Sequence, residues 1–371
     1  MITLTHDDVR TLATFKGDGY PVTSCYLDVD GSHLARYKDV ASQLESLMRL
    51  GRTKADGQAS VLEDLRLIEE FVKGGIDRSR TRGLAMFSSA EKRFWEVIEL
   101  PVSVHNQIVV NQSPAIRQLE QILDDYEPFA VLLADRQHAR MVVFELGEIA
   151  EVRELLDGLP RGEDVMRGLD RGRVQDHVDE LALQHLRHTA KVAFEVFQNR
   201  PFARLIIAAS DDTSSELEQL LHPYLRERLE ARCSLPISAS LEEIRTEALI
   251  VERAVERRKE SESIDRLRQA VGSGNRGVAG LVNTLEALAQ RRVETLYVSN
   301  VFEVQGWRCG SCNAVAAVGR NCAVCGAEMH QVDDVVEEAI QDALAQSCRV
   351  EICSENADLD VLGGIGAMLR Y

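Results

Sequence analysis

The chain has 371 residues, 43 of them basic and 60 acidic, for a formal net charge of −17, with 45% hydrophobic and 28% charged residues. This length exceeds what one hydrophobic core usually serves, and the composition excludes disorder, collagen and coiled coil as the main state. No apolar run nears the roughly 18 residues that span a bilayer. The first residues show neither the basic nor the apolar region of a secretory signal. The acidic excess argues against a generic duplex-DNA binder, which must displace counterions from phosphate. The reading is a cytoplasmic protein away from membranes, whose contacts with nucleic acid come through local basic groups or a partner.

In chain order, Val22 to Val29 reads as a strand. Leu34 to Arg52 and Ser60 to Val72 carry apolar residues at helical spacing (Val40, Leu44, Leu47, Met48; Val61, Leu65, Ile68, Phe71). Gly83–Phe87 and Phe94–Ile98 read as further strands, giving an α/β layer. A second unit starts near Asp125. Phe129–Leu133 and Ala139–Phe144, separated by the polar Asp135-Arg136-Gln137-His138, predict a β-hairpin. Gly158, Pro160, Gly162, Gly168 and Gly172 predict a loop from Leu156 to about Asp176. A helix then runs from about His177 to Gln198, followed by a buried strand, Leu205–Ala209, and a helix from Glu216 to Ala231. A strongly charged helix, Leu241 to Ala270, leads into the last unit. There Glu294–Val298 and Arg349–Cys353 are strands and Val335 to Gln346 is a helix.

The strongest chemical signal is Cys309-x2-Cys312 and, nine residues later, Cys322-x2-Cys325. Each Cys-x-x-Cys pair can form a tight turn that aims two thiolates at one point, and two such knuckles complete a tetrahedral sulfur site. Thiolate softness favours zinc or iron, and a structural zinc ribbon is the reading. The competing one is four free thiols in a reducing cytosol. A closed site of this kind performs no chemistry. His330 is an alternate ligand outside the pairs. Cys25, Cys348 and Cys353 sit in or beside apolar stretches and read as core; Cys233 is uninformative.

Gly272-Ser273-Gly274-Asn275-Arg276-Gly277 matches a dinucleotide-binding glycine pattern, but that mechanism needs a strand before it. A charged helix precedes it here, so a turn is the better reading. His177, His185 and His188 fall near one face of one helix. They read as a solvated face, with a catalytic or RNA-facing surface as the alternative. No other catalytic signature stands by spacing alone.

The C-terminal third carries a resemblance. Gly280-Leu281-Val282-Asn283-Thr284-Leu285-Glu286-Ala287-Leu288, then Arg292 to Ser299, and the glycine-rich end Gly363 to Tyr371 resemble the C-terminal domain of the class-1 peptide-chain release factors of archaea and eukaryotes, with Pelota and their bacterial relatives. Phe129–Leu133 and Leu205–Ala209 sit where that family's central domain would place them. The resemblance implies an α/β (α+β) protein of three domains, 1–125, 126–248 and 249–371, with a zinc ribbon at about 305–330. It implies a factor that enters the ribosomal A site, its first domain near the decoding centre. The middle domain would reach toward the peptidyl-transferase centre, and the last would contact a translational GTPase such as elongation factor Tu.

Two family motifs are missing. No Gly-Gly-Gln occurs in the sequence; Arg171-Gly172-Arg173-Val174-Gln175 is the nearest equivalent, with β-branched Val174 where a glycine is expected. No Asn-Ile-Lys-Ser stop-codon motif occurs either; Leu50-Gly51-Arg52-Thr53-Lys54-Ala55 stands in its place. Bacterial members without Gly-Gly-Gln, the Balon type, imply a non-catalytic factor for hibernation or stalled-ribosome rescue. The alternative is a peptidyl-tRNA hydrolase in which Gln175 orients water and Gly172 supplies the turn. A third reading reuses the scaffold away from the ribosome. Basic groups that could meet RNA are Arg78, Arg80 and Arg82; Arg161, Arg167, Arg171 and Arg173; and Arg257, Arg258 and Lys259. The second group is the most suggestive, because it lies on a glycine-rich loop.

Overall fold

The computed structural model describes residues 4–17, 19–32, 34, 36–156, 171–354 and 356–371, with the backbone alone at 37 and 171–178. The chain forms two compact units, one of residues 125–258 and one of residues 1–124 with 259–371.

In the second of these, residues 22–111 form an antiparallel sheet in the order β3-β2-β1-β4. Its strands are β1 (Val22–Asp28), β2 (Gly83–Ser89), β3 (Phe94–Leu100) and β4 (Gln107–Asn111). Cys25, Leu27, Leu84, Met86 and Ile108 face helices Tyr37–Lys54 and Ala59–Lys73, whose Val40, Leu44, Met48, Leu65 and Ile68 fill the core. Asp64 is buried inside this layer. It accepts hydrogen bonds from Thr23 Oγ1 (2.9 Å), Ser88 Oγ (2.7 Å) and the Ala90 N–H (2.8 Å), so its polar atoms are satisfied. Helix His6–Thr14 precedes the sheet and is closed by a Thr5/Asp8 capping box, a start signal the spacing of apolar residues does not reveal.

The same unit holds a second sheet, ordered β10-β16-β11-β15: β10 (Gly277–Ala279), β11 (Val293–Ser299), β15 (Arg349–Cys353) and β16 (Ile365–Leu369). β11 and β15 are parallel, and helix Val335–Ala345 lies between them in the chain. The glycine-rich ending has a packing reason. Gly364 has φ of +73°, and a Cβ there would stand 2.6 Å from the Phe302 ring.

The unit of residues 125–258 is a five-stranded mixed sheet, β7-β6-β5-β8-β9. Its strands are β5 (Phe129–Ala134), β6 (His138–Glu145), β7 (Glu148–Leu156), β8 (Arg204–Ala208) and β9 (Leu229–Cys233). Alternation divides β5 cleanly. Ala130 and Leu132 pack under Leu186, Ala190 and Ala193 of helix Arg171–Asn199, while Phe129, Val131 and Leu133 pack against Ile244 and Ala248 of helix Leu241–Gly272. Buried Arg204 is held by Glu127 (2.8 Å), Glu252 and Glu256.

Two expectations are corrected. The helix expected over 216–231 is three elements: helix Asp211–Leu220, the four-residue turn of helix Pro223–Arg226, and β9. Pro223 occupies the first turn of a new helix with His222 as its N-cap, so the first helix stops before it. The helix expected from His177 begins at Arg171, so the loop expected as far as Asp176 is already helical there; its residues 157–170 lie outside the described ones. The β-hairpin, the strand at 204–208 and the long charged helix stand as expected.

Candidate functional site

The cysteine pairs fold into two matching knuckles on a three-stranded sheet, β13-β12-β14, of β12 (Gly306–Cys309), β13 (Val315–Ala316) and β14 (Met329–Val332). In the first, the Cys309 N–H donates to Ala314 O at 2.9 Å and the Asn313 N–H to Cys309 O at 2.9 Å. In the second, the Cys322 N–H donates to Ala327 O at 2.8 Å and the Gly326 N–H to Cys322 O at 2.9 Å. The residue four after the leading cysteine is left-handed in both, Asn313 at φ +59° and Gly326 at φ +74°, which suits Asn and Gly. The four Sγ atoms all lie within 4.8 Å of one another. Metal–sulfur bonds of about 2.3 Å in a tetrahedron require sulfur–sulfur edges of about 3.8 Å, so these residues fit a four-coordinate metal.

Electrostatics divide the four thiols: the leading cysteine of each pair is shifted toward the thiolate, while Cys312 and Cys325 are raised, with neighbouring cysteine sulfurs among the causes. The backbone N–H groups of Cys312 and Ser311 pull the Cys309 thiol down to about 6. Cys322 is lowered by the N–H groups of Cys325 and Val324. N–H donors aimed at a sulfur favour the thiolate that binds metal. Cys309 and Cys322 are buried, and Cys312 and Cys325 exposed. His330, on β14, is exposed and stands outside the cluster. Cys25, Cys348 and Cys353 are buried, as expected of core residues.

A second constellation was missed by the sequence reading. Arg117 opens helix Arg117–Asp125 and is buried. Its guanidinium reaches Asp334 (2.5 Å), Glu337 (3.1 Å) and the Phe302 carbonyl (2.6 Å). Burial pulls its pKa down, but Glu337, Asp334 and Glu303 more than restore it, so the net shift is upward and the cation is kept. Nearby, Ser113 Oγ donates to Glu338 (2.9 Å), and the Asn111 amide bridges to the backbone of Asp333 and Asp334. Buried Arg308, the residue before Cys309, contacts Glu338 and Asp342. Residues 111–117 are thus docked on helix Val335–Ala345 by charge. Charged residues spread over some 200 positions of sequence give no periodic signal; only their helix-capping Asp334 could have been found, as an N-cap candidate.

Arg161 and Arg167 lie outside the described residues. Gly172, Arg173 and Gln175 follow Arg171 in the first turns of helix Arg171–Asn199, with their side chains outside the description. Of the helix histidines, His185 is buried and His188 exposed, so they do not share one solvated face; the His177 side chain is not among those described. The stretch Leu50–Ala55 is the end of helix Tyr37–Lys54 with Ala55 as its C-cap, and its cations are engaged: Arg52 with Glu69 (3.3 Å), Lys54 with Asp333 (2.5 Å). Arg78 donates to the carbonyls of Val29 and Leu34, and Arg258 pairs with Glu230. The Gly272–Gly277 pattern is a turn between a helix and β10. Among the described residues, no helix is long and apolar enough to cross a membrane.

Residues 114–258 match the model of a family described as bacterial archaeo-eukaryotic release factor family 10. The fold of the described residues is mixed α/β in two compact units, with a four-cysteine cluster near the C-terminal end. Over nearly its whole length the chain is similar to peptide chain release factor subunit 1 of Methanocaldococcus jannaschii, with 23% identity over 407 aligned positions that cover 98% of this chain and 96% of that protein. Among solved structures it is similar to the archaeal translation termination factor aRF1, at 14% identity, with 98% and 96% of the two chains covered and a TM-score of 0.27. It is similar also to archaeal Pelota in a model of ribosome-bound Pelota and ABCE1, at 12% identity, with 100% and 95% covered and a TM-score of 0.43.

Proposed function

We propose that this protein is a translation factor that enters the ribosomal A site without Gly-Gly-Gln chemistry and serves ribosome hibernation or the rescue of stalled ribosomes. One observation carries the reading: similarity to a release factor runs along 98% of the chain, while the Gly-Gly-Gln tripeptide is absent from its sequence. The helical backbone at Gly172–Gln175 supports the non-catalytic form, because regular helix has no place for the glycine turn that hydrolysis would need. On this reading the chain acts in the cytoplasm as three parts, 1–125, 126–248 and 249–371. Arg161, Arg167, Arg171 and Arg173 contact ribosomal RNA, and the last part meets elongation factor Tu or another translational GTPase. The four thiolates hold a structural zinc ion.

Co-sedimentation of the purified protein with vacant ribosomes, with and without elongation factor Tu and at two salt concentrations, tests the reading. Salt-sensitive binding is expected. Absence of binding under every condition rejects it. The competing hydrolase reading is tested with peptidyl-tRNA in the ribosome: release by the wild type that Gln175→Ala abolishes would replace our proposal.

A further inference from the structure

We propose that the four-cysteine module is a latch on the docking of the N-terminal part: when metal-loaded it keeps residues 111–118 seated on helix Val335–Ala345, and when the metal is removed it lets them go.

The module has little else to hold it. Its three strands have four, two and four residues. Its fully buried cluster is Cys309, Cys322 and Met329, two of them the proposed ligands, with only Trp307 and the small Ala314, Ala316 and Ala327 packed against it half-buried, while Val315 and Val332 are buried at its edge. So small a core does not fold a module by burial alone, and metal binding then supplies its folding free energy.

Arg308 links the inside of the module to the docking surface, beside the bonds that Asn111 makes to Asp333 and Asp334 just after β14. Arg308 lies in β12, directly before Cys309, with β12 paired to β14 from Gly306↔Val332 to Cys309↔Met329. Its side chain is 2% exposed and lies against Glu338, itself 1% exposed. The same Glu338 oxygen, Oε2, accepts from Ser113 Oγ at 2.9 Å. One buried carboxylate oxygen therefore joins the cysteine module to residue 113. The strand cannot slide and keep this contact, because a Cβ at Gly306 would stand 2.5 Å from the Val335 Cβ. If the knuckles open, β12 loses its anchor and Arg308 leaves. Glu338 is then a buried anion with one hydroxyl partner, a costly state. Helix Val335–Ala345 relieves it by admitting water, which breaks the bonds from the Ile116 and Arg117 N–H groups to Glu337.

The test is amide hydrogen exchange on the full chain, with metal content measured in parallel. About one metal ion per chain is expected. Addition of EDTA should deprotect residues 306–332 and should also raise exchange of the 111–118 amides by roughly tenfold or more, with β5 and β8 unchanged. In the double variant Arg308→Met/Glu338→Gln, EDTA should still deprotect 306–332 but leave 111–118 as it was. If that variant does not fold, the wild-type arm decides alone. The proposal is overturned by a chain that purifies without metal yet protects 111–118. Deprotection confined to 306–332 in the wild type, or a double variant that responds as the wild type does, also overturns it.

Discussion

Arg117 and Glu337 are joined twice. The Arg117 side-chain Nε donates to Glu337 Oε1 at 3.1 Å, and the Arg117 backbone N–H donates to Glu337 Oε2 at 3.2 Å. Both residues are buried, so the pair fixes helix Arg117–Asp125 to helix Val335–Ala345 in one register.

Arg117→Ala removes the cation and leaves Asp334 and Glu337 buried together. A buried pair broken from one side costs about 3–5 kcal/mol, and urea unfolding should show a loss of that size. Arg66→Ala is the contrast. Arg66 pairs with Glu63 and Glu70 on a half-exposed helix face, where solvent screens the interaction, and the same experiment should show no measurable change. Equal losses for both variants would mean that burial at Arg117 is not what matters.

Glu120 makes stability depend on pH. It is 4% exposed, and burial pushes its carboxyl up from 4.5 to about 7 against a weak pull from Arg10. An acid whose folded pKa is raised contributes stability in full below its unfolded pKa, and that stability is lost as pH rises through the folded value. The wild type should therefore lose on the order of 3 kcal/mol between pH 4.5 and pH 7 through this group. Glu120→Gln should flatten that part of the curve and raise Tm at pH 8 while leaving it nearly unchanged at pH 4.5. A pH profile identical in the two proteins would remove Glu120 as the cause.

The layered parts of the fold were legible because their residues repeat. Phe129–Leu133 alternates between two cores, and Val40, Leu44, Leu47 and Met48 make one helical stripe. The cysteine knuckles were legible because their chemistry fixes their spacing. What was not legible depends on partners remote in sequence. Leu229 to Cys233 continues a helical-looking stretch, yet it pairs with β8 as a parallel strand, a choice made by the sheet edge and by Pro223. Arg117, Glu337 and Glu338 look like ordinary surface charges until residues 220 positions apart are brought together.

Gly51 tests how tightly the first core is built. It lies inside helix Tyr37–Lys54, and a Cβ there would stand 2.7 Å from Leu65 Cδ2 and 2.8 Å from Ile108 Cδ1. Alanine gains roughly 1 kcal/mol in helix propensity, whereas forcing a methyl into a packed core costs about 1–3 kcal/mol. Both neighbours are buried and have little room to turn away, so overpacking should win. Gly51→Ala is expected to lower Tm, and a higher Tm would show that Leu65 and Ile108 can repack.

Under the proposed function, Arg171 and Arg173 act on the ribosome through charge rather than through chemistry. Both stand in the first turn of helix Arg171–Asn199, on a chain whose net charge is −17. An acidic protein binds RNA only where local cations displace counterions, and each phosphate contact adds up to about one unit to the slope of log affinity against log salt. The double charge reversal Arg171→Glu/Arg173→Glu should weaken binding to vacant ribosomes and reduce that slope by about two. The reversal at Arg66 and Arg268, two exposed arginines paired with acids within their own unit, should change neither. Identical slopes for wild type and the Arg171/Arg173 variant would take these two residues out of the RNA contact and direct the search to other cations of the chain.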